Sequence, residues 1–542
     1  MGKIKNTRFH VRLPIILALV VSAGFLFASL KQGNQPNKPN LASSYHKFAN
    51  ILQYVNQYYV DTVDTEELVE TAITKMLEEL DPHSVYIPPK EVELNKSQLT
   101  GNFFGIGIEF NIMRDTIYVV SPLTGGPSEK LGVRAGDRIV EVDGENVAGI
   151  GVTNRKVMEV LRGEKGTKVV VGINRNGKRL DFNIIRDKIP QNSVETAYMV
   201  NDKTGYIKVS RFSATTYDEF KAGLDSLTDK GMNRLVLDLQ GNPGGYMEMA
   251  IRMADEFLNK DKLVVYTKGK VERHNQRIYS SAKGVFEKGS LIVLIDEGSA
   301  SASEIVSGAI QDNDRGLIVG RRSFGKGLVQ WPIPLNDGSE LRLTISRYYT
   351  PSGRSIQKPY EKGLHDYYMD KANRFAHGEY FHADSIHLND SLKYKTLKGR
   401  TVYGGGGIMP DYFVPLDTAY SSAYFNELVF YSNAFREYSI NFYEKNEKKL
   451  KKMPFSDFMA SYEVSDKVLD DLVKAGKKHD VEFDEDGFNK SKKSLKLRFK
   501  AEIARRNYGN WAFYPVINEL NESFQRAMGL FDEADELAQG SD

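Results

Sequence analysis

Cysteine is absent from all 542 residues, which excludes disulfides, thiol catalysis and the acylation that anchors lipoproteins. The compartment stays open, because proteins of oxidising places can do without the residue. An excess of either charge is missing too: 73 basic and 71 acidic residues leave +2, so nucleic acid is not an expected partner. Metal-ligand patterns are lacking. His365 stands alone, the spacings of five among His377, His382 and His387 put no two on one helical face, and no His-Glu-x-x-His occurs. Glu482-Phe483-Asp484-Glu485-Asp486-Gly487 imitates a calcium loop, but Lys493 sits where the bidentate glutamate belongs. No metal and no cofactor are implied.

Long apolar runs are scarce. One stands out at residues 13–30, uncharged and preceded by Lys3, Lys5, Arg8 and Arg12. A basic stretch before such a run is an export signal whose basic end stays in the cytoplasm. Its length exceeds most cleaved signals and just suffices for a membrane span. Ala28 and Ser29 permit cleavage, but a signal-anchor is favoured. The expected place is the periplasmic side of the cytoplasmic membrane, anchored or released, with residues 32–44 as a polar linker.

The length calls for three or four domains. Residues 45–100 carry apolar side chains at helical spacing (Phe48, Ile51, Leu52, Val55; Leu68, Ile73, Met76, Leu77) and end in Asp81-Pro82-His83-Ser84. His83 there reads as a turn residue rather than a catalyst. Within residues 189–418, apolar stretches at 205–209, 220–227, 235–239, 249–258 and 263–266 alternate as strand and helix, which implies parallel strands with crossover helices. Residues 360–395 form a charged, aromatic insertion. Residues 419–542 read as amphipathic, lysine-rich helices, and the charge run at 444–452 as a solvated face.

Two small-residue loops carry chemistry. Gly298-Ser299-Ala300-Ser301-Ala302-Ser303-Glu304 follows an apolar strand, and Ser323-Phe324-Gly325-Lys326-Gly327 lies between two more. A serine hydroxyl needs a base to take its proton, and a neutral lysine amine can serve. An ordinary lysine, with a pKa of about 10.4, is neutral roughly one time in a thousand near pH 7.5. Burial between apolar strands would lower that value toward about 7–8. The plainer alternatives are a tight turn with a serine N-cap and a solvated lysine.

Together and in this order, the two motifs resemble the catalytic core of the carboxyl-terminal processing (tail-specific) proteases, serine peptidases with a Ser–Lys pair and a PDZ domain. The resemblance covers about residues 45–418. It implies that Ser301, rather than Ser299 or Ser303, is the nucleophile and Lys326 the general base, with Gln330 orienting the amine. A third loop, Gln240-Gly241-Asn242-Pro243-Gly244-Gly245, matches the family's oxyanion loop, which makes Gly244, Gly245 and the Ala302 amide the implied donors. Such donors stabilise an oxyanion by about 2.7–4 kcal/mol each. Gln240 departs from the pattern, since the family usually has arginine there. The family fold implies a multidomain α/β protein: a core resembling Clp-type peptidases and crotonases, an inserted PDZ domain and flanking helical regions. In the family such C-terminal tails cap or dimerise the protease, so a homo-oligomer through the terminal helical regions is possible.

Residues 101–188 read as the PDZ domain. Gly105-Ile106-Gly107-Ile108 resembles its carboxylate-binding loop, where backbone amides cap a peptide's C-terminus while the peptide adds as a strand. Strand, helix and an Asn176-Gly177 hairpin follow in order. Arg162 resembles a family position that reports ligand binding toward the active site. The layout is therefore an export segment (1–31), linker (32–44), helical region (45–100), PDZ domain (101–188), protease core (189–418) and helical C-terminal region (419–542). The expected activity is endopeptidase cleavage of protein substrates with accessible C-termini. The alternatives are a non-catalytic PDZ scaffold that keeps the protease fold and, more weakly, a hydrolase of small esters.

Overall fold

The structure is a computed structural model that describes residues 40–539 apart from 124, 135, 176, 282 and 283. The export segment, most of the linker and Asn176 of the hairpin lie outside the described residues. Among the described residues no helix is long and apolar enough to cross a membrane. The chain divides into two compact units, Met1–Met76 and Leu77–Asp542.

The first unit carries the helix Leu41–Tyr58 and most of Thr65–Glu78. Asn40 starts the former, its side-chain oxygen accepting the Ser43 amide at 2.8 Å. Glu66 and Glu67 in the first turn of the latter suit the positive end of its dipole.

The second unit is organised by a six-stranded sheet in the order Val194–Met199, Thr204–Val209, Arg234–Asp238, Ser290–Ile295, Leu317–Gly320, Tyr412–Phe413. The first pair is antiparallel and the rest run parallel. Parallel strands are covered on both faces, which is why Ser290–Ile295 is buried throughout. Alternate residues serve opposite cores. Leu235, Leu237, Leu291 and Val293 face the helices Thr216–Asp229, Met247–Asp255 and Ala302–Asp312. Val236, Ile292 and Leu294 face Phe524, Leu530 and Phe531 of the far C-terminal region. The helices Glu522–Met528 and Phe531–Gln539 thus cap the back of the sheet. Arg234 pins them by pairing with Asp535.

A second, antiparallel sheet has Glu340–Tyr349 as its spine, paired with Val85–Ile87, Leu263–Gly269 and Leu328–Pro334, while Arg277–Tyr279 extends it. Two sequence expectations change here. Leu263–Gly269 does not join the parallel set, because an apolar run of that length fits either kind of sheet. The helical region 45–100 also contributes a strand, Val85–Ile87, directly after Asp81-Pro82-His83-Ser84.

The PDZ portion is an antiparallel sheet in the order Ile108–Met113, Thr116–Pro122, Arg138–Val142, Lys168–Arg175, Lys178–Ile185, closed by the helix Asn154–Leu161. Thr153 caps that helix, and Val157 and Leu161 bury against Ile117, Ile139 and Val169. Asn102–Gly105 pairs with Asp187–Pro190 where the chain enters and leaves. The helices Ala434–Leu450, Asp466–Lys478 and Glu485–Tyr508 build a separate core around Leu469, Leu495 and Phe499.

Candidate active site

Ser301 stands immediately before the helix Ala302–Asp312, with φ 55° and ψ −111°. A non-glycine residue held there is strained, and such turns project a side chain out of a strand–helix junction. Its neighbours are occupied. The Ser299 hydroxyl donates to the Leu239 carbonyl at 2.8 Å and accepts the Asp296 amide, and the Ser303 hydroxyl donates to the Asn242 carbonyl at 2.9 Å. Both are fully buried, whereas Ser301 keeps partial exposure.

Three residues into the helix, Glu304 is wholly buried. One carboxylate oxygen accepts the Ser301 amide (2.7 Å) and the Lys326 amide (2.9 Å). The other accepts the Ser323 hydroxyl (2.5 Å) and the Gly325 amide (2.7 Å). One side chain therefore joins the serine turn to the lysine loop. Burial pushes its carboxyl up to about 7, against the pull of those four donors.

Lys326 is mostly buried, and burial lowers its pKa from the ordinary lysine value; the Glu304 charge opposes that shift, Arg342 reinforces it and Asp81 opposes it. Among the described residues its amine has no hydrogen-bond or ion-pair partner, and no hydrogen bond joins it to the Ser301 hydroxyl. A second buried lysine nearby is different. The Lys358 amine donates to the Tyr367 carbonyl at 3.0 Å, pairs with Asp370 at 3.0 Å and lies over the rings of Phe324 and Tyr367. Lys358 is thus committed to structure, and Lys326 is the amine left available.

Gln330 does not hold that amine as expected. Its Nε2 donates to Thr344 Oγ1 at 3.2 Å, and Thr344 Oγ1 donates to Asp81 at 3.0 Å. The register explains this: Gln330 faces Thr344 across the antiparallel pair of strands. The Asp81-Pro82-His83-Ser84 turn thereby reaches the lysine loop. His83 Nε2 lies 2.7 Å from the Tyr367 hydroxyl. Burial, then the charge of Lys326, lowers its pKa to about 3. Sequence placed His83 in a turn but gave no sign that the turn borders Lys326.

The insertion, expected only as charged and aromatic, is a clamp on the same loop. Arg374 of the helix Leu364–Ala376 donates to the carbonyls of Ser323 (3.1 Å) and Arg322 (2.7 Å). Glu379 pairs with both Arg322 and Arg374.

At the glycine loop the donor set narrows. The Gly244 amide is taken by the Asn242 side chain at 2.9 Å, so Gly244 is not a free donor. Its role is close approach: a Cβ there would sit 2.8 Å from the Ser301 Cβ and 2.7 Å from the Ala300 carbonyl. Among the described residues the amides of Gly245 and Ala302 have no acceptor, which leaves these two free to donate. Gln240, in the place of the family's arginine, accepts from Asn521 of the C-terminal region, while Lys208 supplies the cation beside Asp238.

In the PDZ loop, the carbonyls of Ile106 and Gly107 are engaged by Ser128 and Leu123. Among the described residues the Ile106 and Gly107 amides have no acceptor, as a carboxylate seat requires. Arg162, just past the PDZ helix, stacks on Phe103 and donates to Ser97 of the helix Pro89–Thr100 at 2.8 Å. That helix ends against the Ala214 amide through the Leu99 carbonyl (2.8 Å), and Phe212 in turn bonds Gly244 and Tyr246. A chain of contacts thus runs from the PDZ domain to the glycine loop at Gly244.

A serine turn, a buried lysine loop and a separate PDZ domain on one α/β framework define a serine-type peptidase. Comparison with known proteins agrees. The profile of peptidase family S41 matches residues 203–365, a PDZ profile residues 105–185, the profile "Activating protease CtpB N-terminal domain" residues 24–90, and a family of unknown function residues 424–509. The chain is similar to a carboxy-terminal-processing protease of Bartonella bacilliformis, 40% identical over 348 residues, covering 62% of this chain and 79% of that one. It is also similar to the carboxy-terminal processing protease CtpA of Bacillus subtilis, 33% identical over 379 residues, covering 69% and 79%. Among solved structures, the photosystem II D1 C-terminal processing protease is 29% identical over 58% of this chain and 90% of its own, with a TM-score of 0.33. The chain belongs to the carboxy-terminal processing proteases of peptidase family S41.

Proposed function

We propose that this peptidase reads protein C-termini with its PDZ domain and cuts internal peptide bonds with Ser301 as nucleophile and Lys326 as general base. The observation that carries the reading is Glu304, which binds the main-chain amides of both residues while leaving the Lys326 amine buried and unpaired. In the reaction the neutral amine takes the Ser301 proton, the serine oxygen attacks the substrate carbonyl, and the Gly245 and Ala302 amides receive the oxyanion. Lys326 then returns the proton to the leaving amine. A non-catalytic scaffold would have no need of a desolvated lysine beside a strained serine, which disfavours that alternative. The basic residues and apolar run at the N-terminus support action outside the cytoplasmic membrane.

The lysine can be tested by pH. Because burial lowers the pKa of Lys326, turnover rises with pH along an ionisation below the ordinary value of about 10.4. A profile that climbs unbroken to about pH 10 counts against a depressed lysine as base.

The PDZ loop can be tested with the substrate. Amidating a substrate's terminal carboxylate removes the anion that the Ile106 and Gly107 amides would cap, so cleavage should slow by about tenfold or more. Equal rates for amidated and free-acid substrates would make the PDZ domain structural rather than a reader of C-termini. Capture promotes cleavage only where the bound peptide favours the active arrangement, and the contacts through Arg162, Ser97 and Phe212 supply a physical link for that preference.

A further inference from the structure

Glu304 grips the serine turn and the lysine loop by their amides. Their carbonyls are gripped as well, by a residue that no motif marks. Tyr348 lies near the end of the strand Glu340–Tyr349 and is 1% exposed. Its hydroxyl meets the Ser301 carbonyl at 3.0 Å and the Lys326 carbonyl in a still shorter contact. Its own amide donates to the Gly327 carbonyl at 2.9 Å.

Two carbonyl oxygens repel each other unless a donor lies between them. A phenol has a single proton, so both carbonyls must stay within reach of the same oxygen to share it. Burial raises the phenol pKa well above its ordinary value, which keeps that proton in place. With the amides of Ser301 and Lys326 on one carboxylate and their carbonyls on one hydroxyl, the main chain of both residues is fixed and only the side chains remain to move.

We propose that Tyr348 is a positioning residue of the peptidase reaction: its hydroxyl sets the approach of Ser301 Oγ to Lys326 Nζ by holding the two carbonyls together. The proposal rests on the Ser301–Lys326 reading and goes beyond it. The hydroxyl touches no reacting atom, yet its loss releases the Lys326 carbonyl from the Ser301 carbonyl, which the Glu304 and Ile305 amides still hold at the helix start, and lets the lysine loop carry its side chain away. Misplacement of reacting groups by about 1 Å is enough to cost roughly a hundredfold in rate.

The test is Tyr348→Phe in the full-length protein, which keeps the ring and removes the donor. Using a peptide substrate, kcat should fall by about ten- to a hundredfold with KM changed less than about twofold. The pH midpoint of kcat should move, because Lys326 sits in an altered pocket. Rates are expressed per active site, counted with a serine-reactive phosphonate. Should the variant fold poorly, the rate of phosphonate attack on the folded fraction, isolated by gel filtration, provides the same comparison. A kcat within twofold of the parent, or a fall that tracks only the loss of folded protein with an unmoved pH midpoint, overturns the proposal. Ser301→Ala and Lys326→Ala run alongside. If either retains activity, the Ser–Lys reading has failed; if both are inactive while Tyr348→Phe is not impaired, only the positioning role has.

Discussion

Ser301→Ala and Lys326→Ala each yield a folded protein whose kcat/KM is lower by roughly four orders of magnitude or more, because nucleophile and base act as one unit. The two differ in stability. Ser301 keeps partial exposure and truncating it removes little packing. Lys326 buries an amine without a partner, so truncation loses stem contacts but also relieves a desolvated polar group, and the net change is small. Melting temperature and turnover of the purified variants check both statements. Activity surviving in Lys326→Ala at neutral pH would sink the assignment of the base.

Glu304 should be the next most sensitive position. Glu304→Ala leaves two buried donors without an acceptor, at about 1–3 kcal/mol each, and two part-buried ones at less, so the protein should unfold or lose its site. Glu304→Gln is the informative variant. It keeps the shape and one acceptor oxygen but removes the negative charge that raises the Lys326 pKa. The pH midpoint of turnover should therefore fall, while kcat drops by about a hundredfold because the amide's NH₂ faces donors. A pH–rate profile measured on parent and variant decides it: an unchanged midpoint with parental kcat would show that Glu304 neither holds nor tunes the site.

Much of this was legible because catalytic loops are written locally. Small residues between an apolar strand and a helix mark a turn that needs close approach, the signature of the loops containing Ser301 and Gly244-Gly245, and the Lys326 loop carries its glycines between two strands instead. What sequence conceals is pairing across distance. Ser301 and Glu304 stand at the spacing of an ordinary capping box, so nothing local says that the same carboxylate also binds the lysine loop 22 residues on. Tyr348 reads as one more alternating strand position. Gln330 sits close to Lys326 in sequence, but strand alternation turns it toward Thr344. The C-terminal helices announce an amphipathic face without naming the surface it covers, and that surface is the back of the catalytic sheet. In the glycine loop, one hydrogen bond that no spacing announces, from the Gly244 amide to Asn242, sets Gly244 apart from Gly245.

Ser301 sits at φ 55°, a conformation on the order of 1–3 kcal/mol uphill for a residue with a side chain. Glycine would relax there without effort, and threonine, with its branched Cβ, would suffer more than serine does. Thermal robustness and hydrolytic competence therefore pull this single position in opposite directions. A lineage selected only for hardiness would drift toward glycine at 301 and fall silent as an enzyme while its framework improved.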